Sequence, residues 1–111
     1  MEAPDAQFGI VLVTAPSREQ AEYIARALVE SKLAACVSFL PIHSIYTWNG
    51  EIQSEAEWQL VIKSKLAVFS GLEAKVRSLH PYEVPEIIAL PIQAGSHPYL
   101  QWIADHVDAT C

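Results

Sequence analysis

The tetrapeptide Trp48-Asn49-Gly50-Glu51 constrains the fold more than any other feature of the chain. A two-residue type I′ hairpin turn needs left-handed backbone at both central positions, and an Asn-Gly pair suits it. Two long runs, from about Ala34 to Trp48 and from Glu51 to Ser64, flank the turn. Pairing outward from it sets Tyr46 opposite Gln53, Phe39 opposite Leu60 and Val37 opposite Ile62, which puts the apolar positions of both arms on one face. An arm of roughly 14 residues at about 3.3 Å each reaches roughly 45 Å. A compact chain of 111 residues has a radius of gyration near 13 Å and a diameter of roughly 35 Å. The hairpin therefore projects beyond its own core, and another copy of the chain is the simplest cover for its aromatic side chains. Pro41 cannot donate a ladder hydrogen bond, so a bulge or bend is expected there.

The remaining elements follow from apolar spacing. Phe8 to Thr14 is short, apolar and β-branched, as in a buried strand. Ser17 with Gln20 three residues on matches a capping box. Ala21, Ile24, Ala25, Leu28 and Val29 then mark one face of a helix ending near Ser31. Helical spacing returns from Leu66, with Phe69, Leu72, Val76 and Leu79 inward, and His80-Pro81 stops it. Glu86 to Ile92 reads as a strand, and Gly95 to Pro98 opens a last helix with Leu100, Ile103, Ala104 and Val107 inward. The order β-α-β-β-α-β plus a final helix is the ferredoxin-like α+β arrangement, in which two helices cover one face of an antiparallel sheet. Residues 1–111 are read as one domain, with residues 1–6 expected to be a disordered N-terminal segment. The opposite sheet face is left for a partner.

Apolar residues make up 51% of the chain and charged ones 18%, more apolar and less charged than a typical domain. A domain this small buries only about two thirds of its unfolded surface, so the excess points to subunit contacts. The net charge of −6, with no basic cluster, excludes nucleic acid as a partner. No apolar run approaches a membrane span, and the acidic start lacks a signal's basic region. Cys36 and Cys111 are read as free thiols in the cytoplasm.

The four glycines, at 9, 50, 71 and 95, form no phosphate loop. Gly95-Ser96-His97 lacks the nucleophile-elbow pattern, and Ser96 is better read as a helix cap. No nucleophile with a base is visible, so no catalysis is expected. His80-Pro81-Tyr82-Glu83-Val84-Pro85-Glu86 packs an imidazole, a phenol and two carboxylates into a rigid loop. His80, with a thiolate from Cys36, has the ligand chemistry for Cu²⁺ or Zn²⁺. The alternative is a histidine bonded to the last carbonyls of its helix and a cysteine serving as a small hydrophobe. His43, His97 and His106 have no ligand spacing. Tyr46, Trp48 and Trp58 fit an interface anchor better than a stacking platform. Lys63, amid Leu60, Val61 and Ile62, is expected to face a cleft or a carboxylate such as Glu83 or Glu86.

Three segments together carry a family resemblance: Lys32-Leu33-Ala34-Ala35-Cys36-Val37, Ser44 to Ile52, and His80 to Ile88. With Thr14-Ala15-Pro16-Ser17, Leu90-Pro91-Ile92 and Tyr99 to Ile103 in the same order, the chain from Val11 to Ile103 resembles the CutA divalent-cation tolerance family. Ser38 stands where members often have Asn, and Ser64 where they have Thr. The resemblance implies a ferredoxin-like homotrimer, similar in build to PII signalling proteins, that is linked to tolerance of copper and other divalent cations and binds copper. On that basis His80 and Cys36 are the expected metal contacts, and Lys63, Tyr82, Glu83 and Glu86 are expected to line a cleft between subunits. A PII-like small-ligand sensor and a trimeric scaffold are the alternatives.

Overall fold

The computed structural model describes residues 7–108. The expected disordered segment at 1–6 and the thiol of Cys111 lie outside them. The elements are β1 (Phe8–Ala15), α1 (Arg18–Glu30), β2 (Cys36–Trp48), β3 (Glu51–Lys65), a 3₁₀ turn (Leu66–Val68), α2 (Phe69–Leu79), β4 (Ile87–Pro91) and α3 (His97–His106). The strands form one antiparallel sheet in the order β2-β3-β1-β4. This is the expected ferredoxin-like order.

The hairpin has the register read from its turn. Asn49 and Gly50 adopt φ of 54° and 77°, the left-handed pair of a type I′ turn. The ladder then runs without interruption from Trp48↔Glu51 to Cys36↔Lys63, through Tyr46↔Gln53, Phe39↔Leu60 and Val37↔Ile62. The bulge expected at Pro41 is absent, since Pro41 pairs in register with Trp58. β2 is an edge strand, where a residue without an N–H is tolerated if that position faces outward. The arms set the long axis of a molecule measuring 45 × 30 × 21 Å with a radius of gyration of 14.7 Å, above the roughly 13 Å of a compact chain this size.

Strand alternation sorts the sheet into two faces. Val11, Val13, Leu60 and Ile62 are buried on one face, beneath Ile24 and Leu28 of α1 and Leu72 and Val76 of α2. Ile103 and Val107 close the core from α3 and its C-terminal end. The other face carries Ile10, Leu12 and Val61 half-buried and Leu40, Ile88 and Leu90 exposed. It has no helical cover. Ser64 keeps a structural role for its hydroxyl, which is buried and donates to the Leu33 carbonyl at 2.6 Å.

Half of the capping box forms. Ser17 Oγ accepts from the Gln20 N–H at 3.1 Å, but Gln20 Oε1 is buried without a partner among the described residues. Ser96 takes the N-cap position of α3 without a side-chain hydrogen bond. Its backbone carbonyl instead accepts from the Leu100 N–H at 2.9 Å.

Leu60 has no exposed surface and sits where β3 faces both Val13 and Phe39. Leu60→Ala is expected to cost about 2–5 kcal/mol through lost contacts and a residual cavity, read from the denaturant midpoint at unchanged slope.

Candidate ligand-binding cleft

β1 ends opposite Trp58, so the outer arms of the hairpin extend past the rest of the sheet. On that overhang, period-2 alternation puts Ser44 and Tyr46 of β2 on the same face as Gln53, Glu55 and Glu57 of β3. The loop between α2 and β4 stands against it and supplies Pro81, Tyr82, Glu83, Val84 and Glu86. The space between them is a cleft of about 860 Å³. Among the described residues its lining holds four carboxylates, those of Glu55, Glu57, Glu83 and Glu86, two phenols and the Trp48 indole, and no Lys, Arg or His.

His80 anchors the loop. Its ring is buried, with Nε2 2.6 Å from the Thr14 carbonyl and Nδ1 accepting the Tyr82 N–H at 3.1 Å. A carbonyl only accepts, so Nε2 carries the proton and Nδ1 the lone pair. β4 begins opposite Val13, one residue short of Thr14, and His80 caps the strand end that β4 does not reach. The ring also lies 4.9 Å from that of Tyr82, centroid to centroid. The helix-end reading of His80 is thus corrected in its partner. The carbonyl it bonds belongs to β1, not to its own helix.

The carboxylates act on both phenols. Tyr46 Oη donates to Glu55 Oε1 at 2.5 Å. That hydrogen bond, with lesser contributions from burial and from the charges of Glu55 and Glu57, pushes the Tyr46 hydroxyl up to about 12. Burial first, then the charges of Glu57 and Glu55, raises Tyr82. Glu57 is only 6% exposed and has no hydrogen-bond or ion-pair partner among the described residues.

Of the residues singled out in the sequence, Tyr82, Glu83 and Glu86 line this cleft within one chain, and Lys63 lies outside it; the cleft between subunits expected for these four residues is a feature of an assembly, not of a single chain. Lys63 pairs across strands with Cys36 and Ile10 on the uncovered sheet face and makes no ion pair with Glu83 or Glu86. His80 and Cys36 are also separated. Cys36 lies level with Ile10 through Lys63, while His80 bonds Thr14, four residues along β1 and roughly 13 Å away at strand spacing. Within one chain no single ion bridges them, and both His80 nitrogens are engaged there. Among the described residues no three of His, Cys, Asp and Glu converge closely enough to hold a metal ion. His43, His97 and His106 are exposed, as expected. Glu55 and Glu57 were missed. The available signal was their alternation with Gln53 on one face of a strand otherwise rich in apolar positions.

Comparison with known proteins identifies the scaffold. A family model described as CutA1 divalent ion tolerance protein matches residues 9–106. The chain belongs to the CutA1 family. It is 48% identical over 98 residues to the divalent-cation tolerance protein CutA of Thermus thermophilus, covering 87% of this chain and 95% of that protein. It is 50% identical over 92 residues to human protein CutA, covering 82% of this chain but 51% of the human one, so it spans about half of that relative. Among solved structures, CutA1 from Oryza sativa superposes with a TM-score of 0.91 at 38% identity, covering 95% of this chain and 97% of that one. The Thermus thermophilus Cut A1 structure gives 0.89 at 46% identity, with 91% and 99% covered. The resemblance read from the CutA1 motifs is thereby confirmed, and so is the fold it implied.

Because the folded-state value of Tyr46 lies above the ordinary value of about 10, the bond to Glu55 contributes stability that is complete below pH ~10. It is lost as pH rises through about 12. Phenolate absorbance is expected to contain a tyrosine titrating near 12 that disappears in Tyr46→Phe, while the raised Tyr82 remains. A titration curve unchanged by that substitution would place the bond elsewhere.

Proposed function

We propose that this CutA1 protein is a non-catalytic, homotrimeric cation-binding protein of the cytoplasm that serves divalent-cation tolerance. The carrying observation is the cleft, whose four carboxylates face no basic side chain. The trimer implied by family resemblance is supported by the uncovered apolar sheet face and by the length of the hairpin. Carboxylate oxygens favour hard cations such as Mg²⁺ or Mn²⁺, whereas Cu²⁺ prefers nitrogen and sulfur donors. The residues present therefore fit an ion held by one or two carboxylates and completed by water. They do not fit copper at a joint site of His80 and Cys36.

A second reading, the PII-like small-ligand sensor, is favoured by the size of the cleft, which lies in the roughly 300–1,000 Å³ range of metabolite sites. Lys63, the group that would draw an anion, lies outside it. A scaffolding role has no comparable observation in its favour.

Calorimetric titration of the reduced, metal-free protein with Mn²⁺ and Cu²⁺ tests the reading. Weak Mn²⁺ binding is expected, reduced several-fold by Glu57→Gln, since one charge-assisted contact accounts for about a tenfold change, and unaffected by Cys36→Ser. Tight copper binding abolished by His80→Ala in a folded protein would return the metal to the histidine and contradict the carboxylate reading.

A further inference from the structure

The loop at residues 81–86 is held by one titratable group. Among the described residues its hydrogen bonding to the rest of the chain is a single contact, the Tyr82 N–H donating to His80 Nδ1 at 3.1 Å. Pro81 and Pro85 have no N–H to add. The His80 ring is in turn fixed to β1, its Nε2 lying 2.6 Å from the Thr14 carbonyl. The surroundings of this buried ring thus offer it one acceptor and one donor, a set that only neutral imidazole satisfies. Imidazolium carries two N–H donors. Turning the ring over exchanges its nitrogens without supplying an acceptor, so protonation sets one N–H against another and breaks the bond to Tyr82.

We propose that His80 is a pH-sensitive latch, which holds the loop to β1 while neutral and releases Tyr82, Glu83 and Glu86 when protonated. Closing the loop requires the neutral ring. The closed form is therefore favoured above the imidazole range and lost as pH falls through it. The ionisable groups on the adjoining elements are Tyr82, whose ring lies 4.9 Å from that of His80, Glu83 and Glu86 on the loop, Glu55 and Glu57 on β3, and Arg77 in the last turn of α2. Arg77 is ion-paired with Glu73. None of them bonds to the imidazole among the described residues. Carboxyl groups ordinarily titrate at about 4 and phenols at about 10, on either side of the imidazole window. The inference concerns the loop's own attachment and does not depend on which ligand the chain binds.

Native-state hydrogen exchange of the full, metal-free chain tests the latch, read amide by amide by NMR from about pH 8 to about pH 5.5 and corrected for intrinsic exchange. An imidazole freed to water titrates at about 6.5, so protonation raises the open population about tenfold at the acid end. The protection of the Tyr82 amide is expected to fall by that factor. The Ala35 amide, which donates to the Lys63 carbonyl at 2.9 Å, is the control and keeps its protection. His80→Gln supplies one donor and one acceptor without titrating, and in it the Tyr82 amide is expected to lose its pH dependence. A Tyr82 protection that stays constant in the native chain would overturn the proposal. So would a fall that persists in folded His80→Gln, which would assign the dependence to a carboxylate, or an equal fall at Ala35, which would mean general loosening. Should His80→Gln not fold, the tautomer of the native ring decides. Its ¹⁵N shifts at about pH 8 are expected to put the proton on Nε2, and a proton on Nδ1 would overturn the latch.

Discussion

The uninterrupted ladder between β2 and β3 is the interaction on which the rest of the molecule depends. It pairs every residue of β2 from Cys36 to Trp48, whereas β1 meets only the inner part of β3, from Trp58 to Lys65. The inner hairpin therefore belongs to the core and the outer hairpin overhangs it. Both consequential surfaces follow from that offset. The inner strands present an apolar face that the two helices, lying on the other side, do not cover. The overhang supplies the acidic floor of a cleft that the loop after α2 closes from one side.

Much of this was legible in sequence because local chemistry decided it. Asn49-Gly50 selects one turn, the turn sets the register, and alternation then assigns each side chain to a face. Pro41 was misread because proline's effect depends on whether a strand is internal or at an edge, which no local pattern reveals. Lys63 shares a face with Glu57 but lies six residues along β3, roughly 20 Å at strand spacing, so it stands outside the cleft of a single chain. His80 was the hardest to place. Its partner Thr14 is 66 positions away in sequence, so its ligand chemistry was readable while its structural duty was not. Glu55 and Glu57 gained meaning only once the loop bearing Tyr82 was seen to stand opposite them.

The cleft separates two jobs that sequence chemistry merges. His80 spends both nitrogens holding the loop to β1, leaving the loop's outward groups, Tyr82, Glu83 and Glu86, to face the ligand space. The charge of the site then comes from carboxylates alone, which suits cations generally and selects among them by spacing and size.

The sheet face carrying Leu40, Ile88 and Leu90 and the apolar hairpin tip at Ile45 and Ile52 are exposed in a single chain, and in the proposed trimer neighbouring copies cover them. Static light scattering across the micromolar range measures this most directly. The expected result is the mass of three chains at every concentration at which the protein is folded. A stable, folded species with the mass of one chain would contradict it.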